Sequence, residues 1–311
     1  MADYQTLAHG VYCVDALYIK PQVASIYLLR QGAEVAIIET GTFHSLANLL
    51  ATMAQLGIHD DQVKYVIPTH VHLDHAGGAG AMLLQFKQAR LIVHPLGARH
   101  MIDPSKLVEG TIGVYGKERF EALYGRIEPI AAERVIVAED SASYSLEDRE
   151  LIFIDTPGHA RHHFCIYDEC SNGMFTGDTF GISYAPMKRL PRGLIPTTPP
   201  TQFDPPALRQ SIDRIMSFAP ARLYLTHYGE FDNPGAQLQS FRRWIDDYVA
   251  LSQQFDFSAD TDAAALESEL LQLVMTNLGA DADESIRRVI SHDITLNAQG
   301  LAYWRKRQVN A

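Results

Sequence analysis

Short apolar runs that end in turn residues recur along the first 233 residues and predict β-strands. The run at residues 64–68 is typical of a buried strand. The predicted strands are 11–19, 23–29, 34–39, 64–68, 90–94, 151–155, 164–168, 173–176 and 222–226. The first part of the chain is therefore predicted to be built on strands.

Apolar residues that recur every three or four positions predict the helices. The predicted helices are 44–56, 79–86 and 208–216, followed by a nearly continuous helical pattern from residue 234 onwards. We therefore predict two domains, a catalytic domain at residues 1–233 and a helical C-terminal subdomain, packed on it, at residues 234–311.

Two segments fit neither pattern. Residues 103–126 contain four glycines and are predicted to be an irregular insertion or lid-like segment. Residues 181–206 contain Pro186, Pro191 and further prolines, and are predicted to form a long loop that is neither strand nor helix.

Composition narrows the classes of partner. The 311 residues carry 26 Lys and Arg against 37 Asp and Glu, a net charge of -11 that argues against nucleic acid as a partner. No apolar stretch approaches the roughly 20 residues that cross a bilayer, and the N-terminus does not resemble a signal peptide. Three cysteines fit a reducing compartment. We expect a cytoplasmic protein, not bound to a membrane, that acts on a small molecule.

The sequence HVHLDH at residues 70–75 is the centre of the functional interpretation. It places three imidazoles and one carboxylate within six positions, between an apolar strand and a helix. Residues two apart in an extended stretch share a face, so His70 and His72 can reach one ion together. Asp74 and His75 follow a turn and can face a second ion. Neutral imidazole is the common zinc ligand, and this clustering predicts a metal site.

Three further potential ligands follow predicted strands in the same way. His159 lies in DTPGHA, Asp178 in FTGDT and His227 in LTHYG. Singly, each would be more readily explained as a helix cap or turn residue. Their repeated placement at strand ends indicates that they belong to the same site.

HVHLDH, DTPGHA, FTGDT and LTHYG, in this order and at these separations, resemble the metallo-β-lactamase superfamily from about residue 11 to residue 235. The resemblance implies a mixed α/β fold, a four-layer αββα sandwich with a helical C-terminal extension, and two metal ions at one edge. It also implies a division of the ligands: His70, His72 and His159 on the first ion, Asp74, His75 and His227 on the second, and Asp178 between them. The carboxylate bridge places the chain near the glyoxalase II and lactonase branches.

Such a site predicts a hydrolase. Two divalent ions, zinc first with iron or manganese as alternatives, lower the pKa of a bridging water towards about 7. The resulting hydroxide would attack an ester, lactone or thioester carbonyl. As a hypothesis, Asp74 orients this nucleophile and carries the proton to the leaving atom. An iron-dependent oxidoreductase resembling persulfide dioxygenases and a phosphodiesterase-type hydrolase are the alternatives.

Substrate contacts and assembly are open on the sequence. Tyr184 is a candidate oxyanion donor, with a role in fixing the proline-rich loop as the alternative. Lys188 and Arg192 are candidates for holding an anionic substrate. The alternative is that they belong to an ordinary run of charged residues exposed to solvent. Glu39 is expected to support the site or a turn without binding metal. Either His162 or His163 is a candidate for packing behind the site. A homodimer is one alternative for the assembly.

Overall fold

Two β-sheets organise the part of the chain that precedes the long C-terminal helices. The computed structural model describes residues 3–257 and 262–309. The first sheet is ordered as its strands occur in the chain. Its strands are β1 (Tyr4–Thr6), β2 (Val11–Asp15), β3 (Ser25–Gln31), β4 (Glu34–Ile38), β5 (Val63–Ile67), β6 (Arg90–Val93) and β7 (Val135–Val137). The second sheet has the order β13-β12-β11-β10-β9-β8. Its strands are β8 (Ser143–Leu146), β9 (Arg149–Asp155), β10 (Phe164–Asp168), β11 (Gly173–Gly177), β12 (Arg222–Leu225) and β13 (Gly229–Asp232).

Helices connect the strands and form the end of the chain. Strands β4 to β7 run parallel to one another, which requires crossover connections, and helices supply these. The helices are α1 (Leu46–Leu56), α2 (Leu73–Ala76), α3 (Ala79–Gln85), α4 (Ala98–Ile102), α5 (Ser105–Tyr115), α6 (Lys117–Tyr124), α7 (Pro205–Ser217), α8 (Pro234–Ser252), α9 (Asp262–Leu278) and α10 (Glu284–Val309). Over the described residues, none of these helices has the length and apolar character to cross a membrane.

The core of the sandwich lies between the two sheets. Tyr27 of β3 packs its ring edge-on against Phe175 of β11, with 5.3 Å between ring centroids. The Tyr27 hydroxyl donates to the carbonyl of Leu225 in β12 at 2.6 Å. The apolar residues of β4 are fully buried, as expected for a strand covered on both faces. Because β4 and β5 are parallel, their carboxyl ends meet at the same edge of the first sheet.

The chain forms two compact units. The first contains both sheets except the end of β13, and comprises the residues up to Asp155, His162–Gly177 and Arg222–Glu230. The second comprises Thr156–Arg161, Asp178–Ala221 and the chain from Phe231 onwards. The predicted domain boundary at residues 233 and 234 stays a prediction.

The second unit has an apolar core of its own. Phe180, directly before the proline-rich segment, stacks on Phe241 of α8 with 4.9 Å between ring centroids. Trp244 of α8 is 2% exposed and belongs to this core. Trp304 of α10 contacts the ring of Phe203.

The strand predicted at residues 11–19 ends early, at Asp15. Leu17 and Ile19 have φ angles of +52° and +61°, which a continuous strand does not allow. The Asp15 carboxylate stabilises the turn by accepting hydrogen bonds from the amides of Leu17 and Gln22, at 2.8 and 2.7 Å. The apolar run past Asp15 therefore belongs to a side-chain-capped loop.

The expectation of irregular structure at residues 103–126 was wrong. Helices α5 and α6 fill most of this segment. Gly110 and Gly113 lie inside α5, whereas Gly116 separates the two helices at φ +78°. A glycine weakens a helix by only about 1 kcal/mol, so two of these glycines were given too much weight. The proline-rich segment agrees with its prediction: it has one isolated bridge, between Ile182 and Ile195, before α7 begins at Pro205.

Candidate metal centre

The HVHLDH motif forms the turn between β5 and a short helix. The chain leaves β5 at Ile67 and is still extended at His72, whose φ and ψ are -63° and 146°. His72 immediately precedes α2, which contains Asp74 and His75. The turn at His72 therefore separates His70 and His72 from Asp74 and His75, and gives the two pairs different directions.

Asp74, His75 and His227 bring three potential ligand atoms together. The Asp74 Oδ2 atom lies 3.6 Å from His75 Nε2 and 3.5 Å from His227 Nε2. One ligand atom from each residue lies within 4.8 Å of the other two. β12 ends at Leu225, and His227 lies two residues further on. The group therefore combines residues that follow a strand of the first sheet with one that follows a strand of the second.

The opposite nitrogens of both rings are held by hydrogen-bond acceptors. His75 Nδ1 lies 3.0 Å from Glu39 Oε1, and His227 Nδ1 lies 2.7 Å from the carbonyl oxygen of Val23. A carbonyl only accepts, and Glu39 Oε1 already accepts from the Thr69 and Thr226 hydroxyls, so both rings donate from Nδ1. In the neutral form of each ring, which is the form that binds a metal ion, the lone pair is then on Nε2, the nitrogen that faces Asp74. Metal-binding histidines in proteins usually have such a partner behind the ring.

Glu39 connects three strand ends at this edge. Its carboxylate accepts hydrogen bonds from the Thr69 amide (3.1 Å), the Thr69 hydroxyl (2.6 Å) and the Thr226 hydroxyl (2.8 Å), in addition to the His75 ring. Glu39 follows β4, Thr69 follows β5 and Thr226 follows β12. This buried carboxylate thus joins the two sheets and fixes the orientation of His75.

His70 and His72 form a second pair in the first unit. His70 Nε2 lies 2.8 Å from His72 Nδ1. His70 Nδ1 lies 3.1 Å from the Thr69 hydroxyl, whose hydrogen goes to Glu39, so Nδ1 is the donor and Nε2 faces His72. Burial lowers the pKa of His72 to about 4, which keeps this ring neutral at physiological pH.

His162 and His163 both pack against His70. Their rings are roughly parallel to that of His70, at centroid distances of 6.1 and 4.8 Å. Burial lowers the pKa of His162 to about 3 and that of His163 well below its usual range. Both rings are therefore neutral, and they restrict the orientation of His70 by packing.

Gly177 leaves room for His163 at the end of β11. It has φ +49°, and a Cβ atom there would lie 2.4 Å from His163 Nε2 and 2.5 Å from Thr69 Oγ1. We expect Gly177→Ala to lower the free energy of unfolding by about 2–3 kcal/mol, from left-handed strain and overpacking together. Urea denaturation measures this loss.

The matched control is Gly57→Ala. Gly57 has φ +63°, but among the described residues no atom lies within 4 Å of an added Cβ. This variant should lose only about 1 kcal/mol, the contribution of left-handed strain alone. Equal losses in the two variants would show that the contact with His163 and Thr69 has no effect.

His159 and Asp178 lie in the second unit, near each other. His159 Nε2 lies 3.5 Å from Asp178 Oδ2, and His159 Nδ1 lies 2.8 Å from the Thr197 hydroxyl. Both residues are buried, with relative exposures of 2% and 7%. The arrangement repeats that of His75 and His227, with one ring nitrogen held and the other near a carboxylate.

The predicted substrate contacts fall in the proline-rich segment. Tyr184 is buried, and its hydroxyl donates to Asp293 Oδ1 in α10 at 3.1 Å, which agrees with a role in fixing the loop. Lys188 and Arg192 are exposed. A role of these two side chains in substrate binding stays a prediction.

Asp74 is ionised in this environment. Burial raises the pKa of its carboxyl, but the rings of His75 and His227, in their protonated form, lower it by more, so that the net pKa lies below its usual range. An ionised carboxylate and neutral imidazoles form a donor set that suits a divalent ion such as zinc. The residues of the first unit therefore fit a metal ion by their chemistry as well as by their spacing.

Sequence reasoning missed the groups that hold the rings. Thr69, Thr226, Thr197 and the carbonyl of Val23 were not singled out. Thr69 and Thr226 each immediately precede a predicted ligand, and that adjacency was an available signal. A backbone carbonyl has no signature in the sequence, and Thr197 lies 38 residues from the ring that it contacts.

The family follows from these motifs and from the fold. The sequence model of the metallo-beta-lactamase superfamily matches residues 19–227, and the chain belongs to this superfamily. The resemblance predicted from the four motifs is thus confirmed. The structure of metallo-beta-lactamase family protein TTHA1429 from Thermus thermophilus is similar, with a TM-score of 0.69 at 20% identity over 98% of this chain and 95% of that one. The predicted fold class is confirmed with it.

Two curated relatives are similar in sequence. The metallo-beta-lactamase fold-containing protein ST1585 from Sulfurisphaera tokodaii is 27% identical over 225 residues, which cover 71% of this chain and 78% of that protein. The acyl-coenzyme A thioesterase MBLAC2 from Homo sapiens is 26% identical over 191 residues, which cover 56% of this chain and 65% of that protein. The match thus spans just under two thirds of the thioesterase.

Proposed function

We propose that the protein is a metal-dependent hydrolase that cleaves an acyl thioester. The observation that carries the metal dependence is the group formed by Asp74, His75 and His227. Its two rings are held at Nδ1 by Glu39 and by the Val23 carbonyl, so that both Nε2 atoms lie near the Asp74 carboxylate. This orientation supports metal binding because each ring is fixed in the tautomer that a ligand requires.

The proposed centre holds two ions. We propose the division of ligands that the four motifs imply. It assigns His70, His72 and His159 to one ion, Asp74, His75 and His227 to the other, and Asp178 to both. The short distance between His70 Nε2 and His72 Nδ1 supports a shared ion for this pair.

The reaction needs an activated water and an ionised group to handle its proton. Divalent ions, when bound, supply water that ionises near neutral pH and polarise a substrate carbonyl. Asp74 is ionised and its carboxylate is partly exposed, so it can accept a hydrogen bond from the attacking water. As the water attacks the carbonyl carbon, Asp74 can take its proton. When the carbon–sulfur bond breaks, Asp74 can give this proton to the sulfur of the leaving thiolate. Glu39 keeps the His75 ring fixed meanwhile, and the buried rings of His162 and His163 exclude solvent behind His70.

The choice of a thioester comes from the relatives. The human relative is named as an acyl-coenzyme A thioesterase, and a further relative from Aspergillus fumigatus, 26% identical over 159 residues, as an atrochrysone carboxyl ACP thioesterase. The name of each relative describes an enzyme that cleaves a thioester. Esters and lactones present the same electrophilic carbonyl to the proposed site and are therefore the nearest alternatives.

Metal analysis and a substrate panel together test this proposal. We expect about two equivalents of divalent metal, loss of activity on chelation, and faster turnover of acyl-coenzyme A than of esters, lactones or phosphodiesters. Faster lactone or phosphodiester turnover would replace the thioester assignment. One equivalent of iron with oxygen consumption on glutathione persulfide would contradict hydrolysis and favour the oxidoreductase.

Glu39→Gln is expected to weaken metal binding by about 10–100-fold. The substitution keeps the size of the side chain but removes the negative charge that holds the Nδ1 proton of His75. Titration with a competing chelator measures the affinity. Glu133→Gln, at an exposed site, is the control and should bind metal as the wild type does. An unchanged affinity in Glu39→Gln would show that the carboxylate serves only to join the strands.

A further inference from the structure

We propose that Thr197 is a positioning residue for His159, and that helix α10 holds Thr197 in place through Asn297. The proposal deepens the proposed function, because it rests on His159 being a metal ligand. All of these residues belong to the second unit. Helix α10 thereby gains a role at the metal centre that its position at the end of the chain does not suggest.

The hydrogen bonds of Thr197 define which nitrogen of His159 carries the proton. The Thr197 hydroxyl lies 3.3 Å from the carbonyl oxygen of Asp178 and 2.8 Å from His159 Nδ1. A carbonyl only accepts, and a hydroxyl has one hydrogen, so this hydrogen goes to Asp178. The hydroxyl oxygen then accepts the hydrogen of His159 Nδ1. The lone pair of His159 is left on Nε2, the nitrogen that lies 3.5 Å from Asp178 Oδ2.

Thr197 also holds the backbone of the second candidate ligand. The carbonyl of Asp178 accepts from the amide of Gly181 at 3.1 Å as well as from the Thr197 hydroxyl. One hydroxyl thus bridges the ring of His159 and the main chain of Asp178. The orientation of both residues depends on where the backbone of Thr197 lies.

Asn297 holds the backbone on both sides of Thr197. Its side chain accepts from the Thr198 amide at 2.7 Å and donates to the Pro196 carbonyl at 3.0 Å. Its own carbonyl accepts from the Thr198 hydroxyl at 2.9 Å. Asn297 is 2% exposed, so water competes little for these bonds. Three bonds from one residue fix the short stretch that presents Thr197.

Gly300 allows α10 to approach this stretch closely. A Cβ atom at Gly300 would lie only 1.9 Å from the carbonyl oxygen of Thr198. Tyr184, elsewhere in the proline-rich segment, donates to Asp293 one turn earlier in the same helix. The helix thus meets the segment at three successive turns, through Asp293, Asn297 and Gly300.

The test compares Thr197→Val with Thr197→Ser. Valine keeps the shape of threonine but cannot accept from His159, whereas serine can. In metal-free protein, we expect ¹⁵N NMR of the imidazoles to show His159 protonated at Nδ1 in the wild type and in Thr197→Ser. Thr197→Val should shift this signal towards a mixture of tautomers and weaken metal binding by about 10–100-fold. Thr276→Val, at an exposed helical site, is the matched control and should change neither readout.

Asn297→Asp tests the contribution of α10. Aspartate keeps an acceptor for the Thr198 amide but loses the donor to Pro196, so we expect an intermediate loss of the His159 Nδ1 proton signal. An unchanged tautomer in both Thr197→Val and Asn297→Asp would overturn the proposal, and so would an unchanged metal affinity in Thr197→Val. A wild type that binds no metal would contradict the proposed function instead, because the NMR readout does not need the metal.

Discussion

Replacing Asp74 with asparagine is expected to lower the rate of hydrolysis by about 10²–10⁴-fold, the usual contribution of a group that transfers a proton in the transition state. This range corresponds to roughly 3–5 kcal/mol in the activation free energy. The carboxylate is held ionised beside His75 and His227, whereas an amide cannot accept a proton. The size of the side chain is unchanged, so packing around it is expected to persist.

Metal content measured on the same preparation separates two roles of Asp74. Retained metal with lost activity indicates proton transfer, and lost metal indicates a role as ligand. Asp61→Asn, at an exposed position, is the control and should keep full activity. Activity within twofold of the wild type in Asp74→Asn would exclude both roles.

Replacing Arg149 with methionine is expected to lower the free energy of unfolding by about 3–5 kcal/mol, because it leaves a buried carboxylate without its counter-charge. Arg149 of β9 and Asp168 of β10 form an ion pair in which both side chains are fully buried. The guanidinium also donates to the carbonyl of His9 at 2.6 Å. The Ser171 hydroxyl donates to Asp168 as well, but it brings no charge.

An exposed ion pair provides the control for Arg149→Met. Arg242 pairs with Asp213, and their side chains are 43% and 58% exposed. We expect Arg242→Met to change the free energy of unfolding by less than about 1 kcal/mol. Chemical denaturation of both variants measures the difference. Equal effects would show that burial does not increase the dependence on the Arg149 and Asp168 pair.

The strand predictions succeeded where strands are buried and failed where they are both short and largely exposed. Strands β4, β5, β9 and β11 are rich in apolar residues, and their pattern is visible without a structure. Strand β8 reads SYSL, and only one of its residues is buried. Its pairing with β9 holds it in place, and pairing depends on a neighbour that the local sequence does not reveal.

In the candidate site, the local sequence likewise indicated the proposed ligands but not the groups that hold them. Each proposed ligand comes next to a recognisable strand or helix, so the type and order of the residues indicated a metal site. The groups behind the rings are distant in the chain: the Thr226 hydroxyl reaches Glu39 across 187 residues. Such a contact depends on how the two sheets pack and on the register of their strands, neither of which a local pattern contains.

The sequence by itself determined the family, the positions of most of the buried strands and the seven residues proposed to bind metal, because these properties depend on residue types at fixed local spacings. Only the tertiary structure decided what holds those residues. It showed that the carboxylate of Glu39 joins three strand ends and holds His75, and that Thr197 holds His159. The direction of a histidine lone pair depends on the partner of the other ring nitrogen, and that partner comes from whichever distant segment the fold brings next to it.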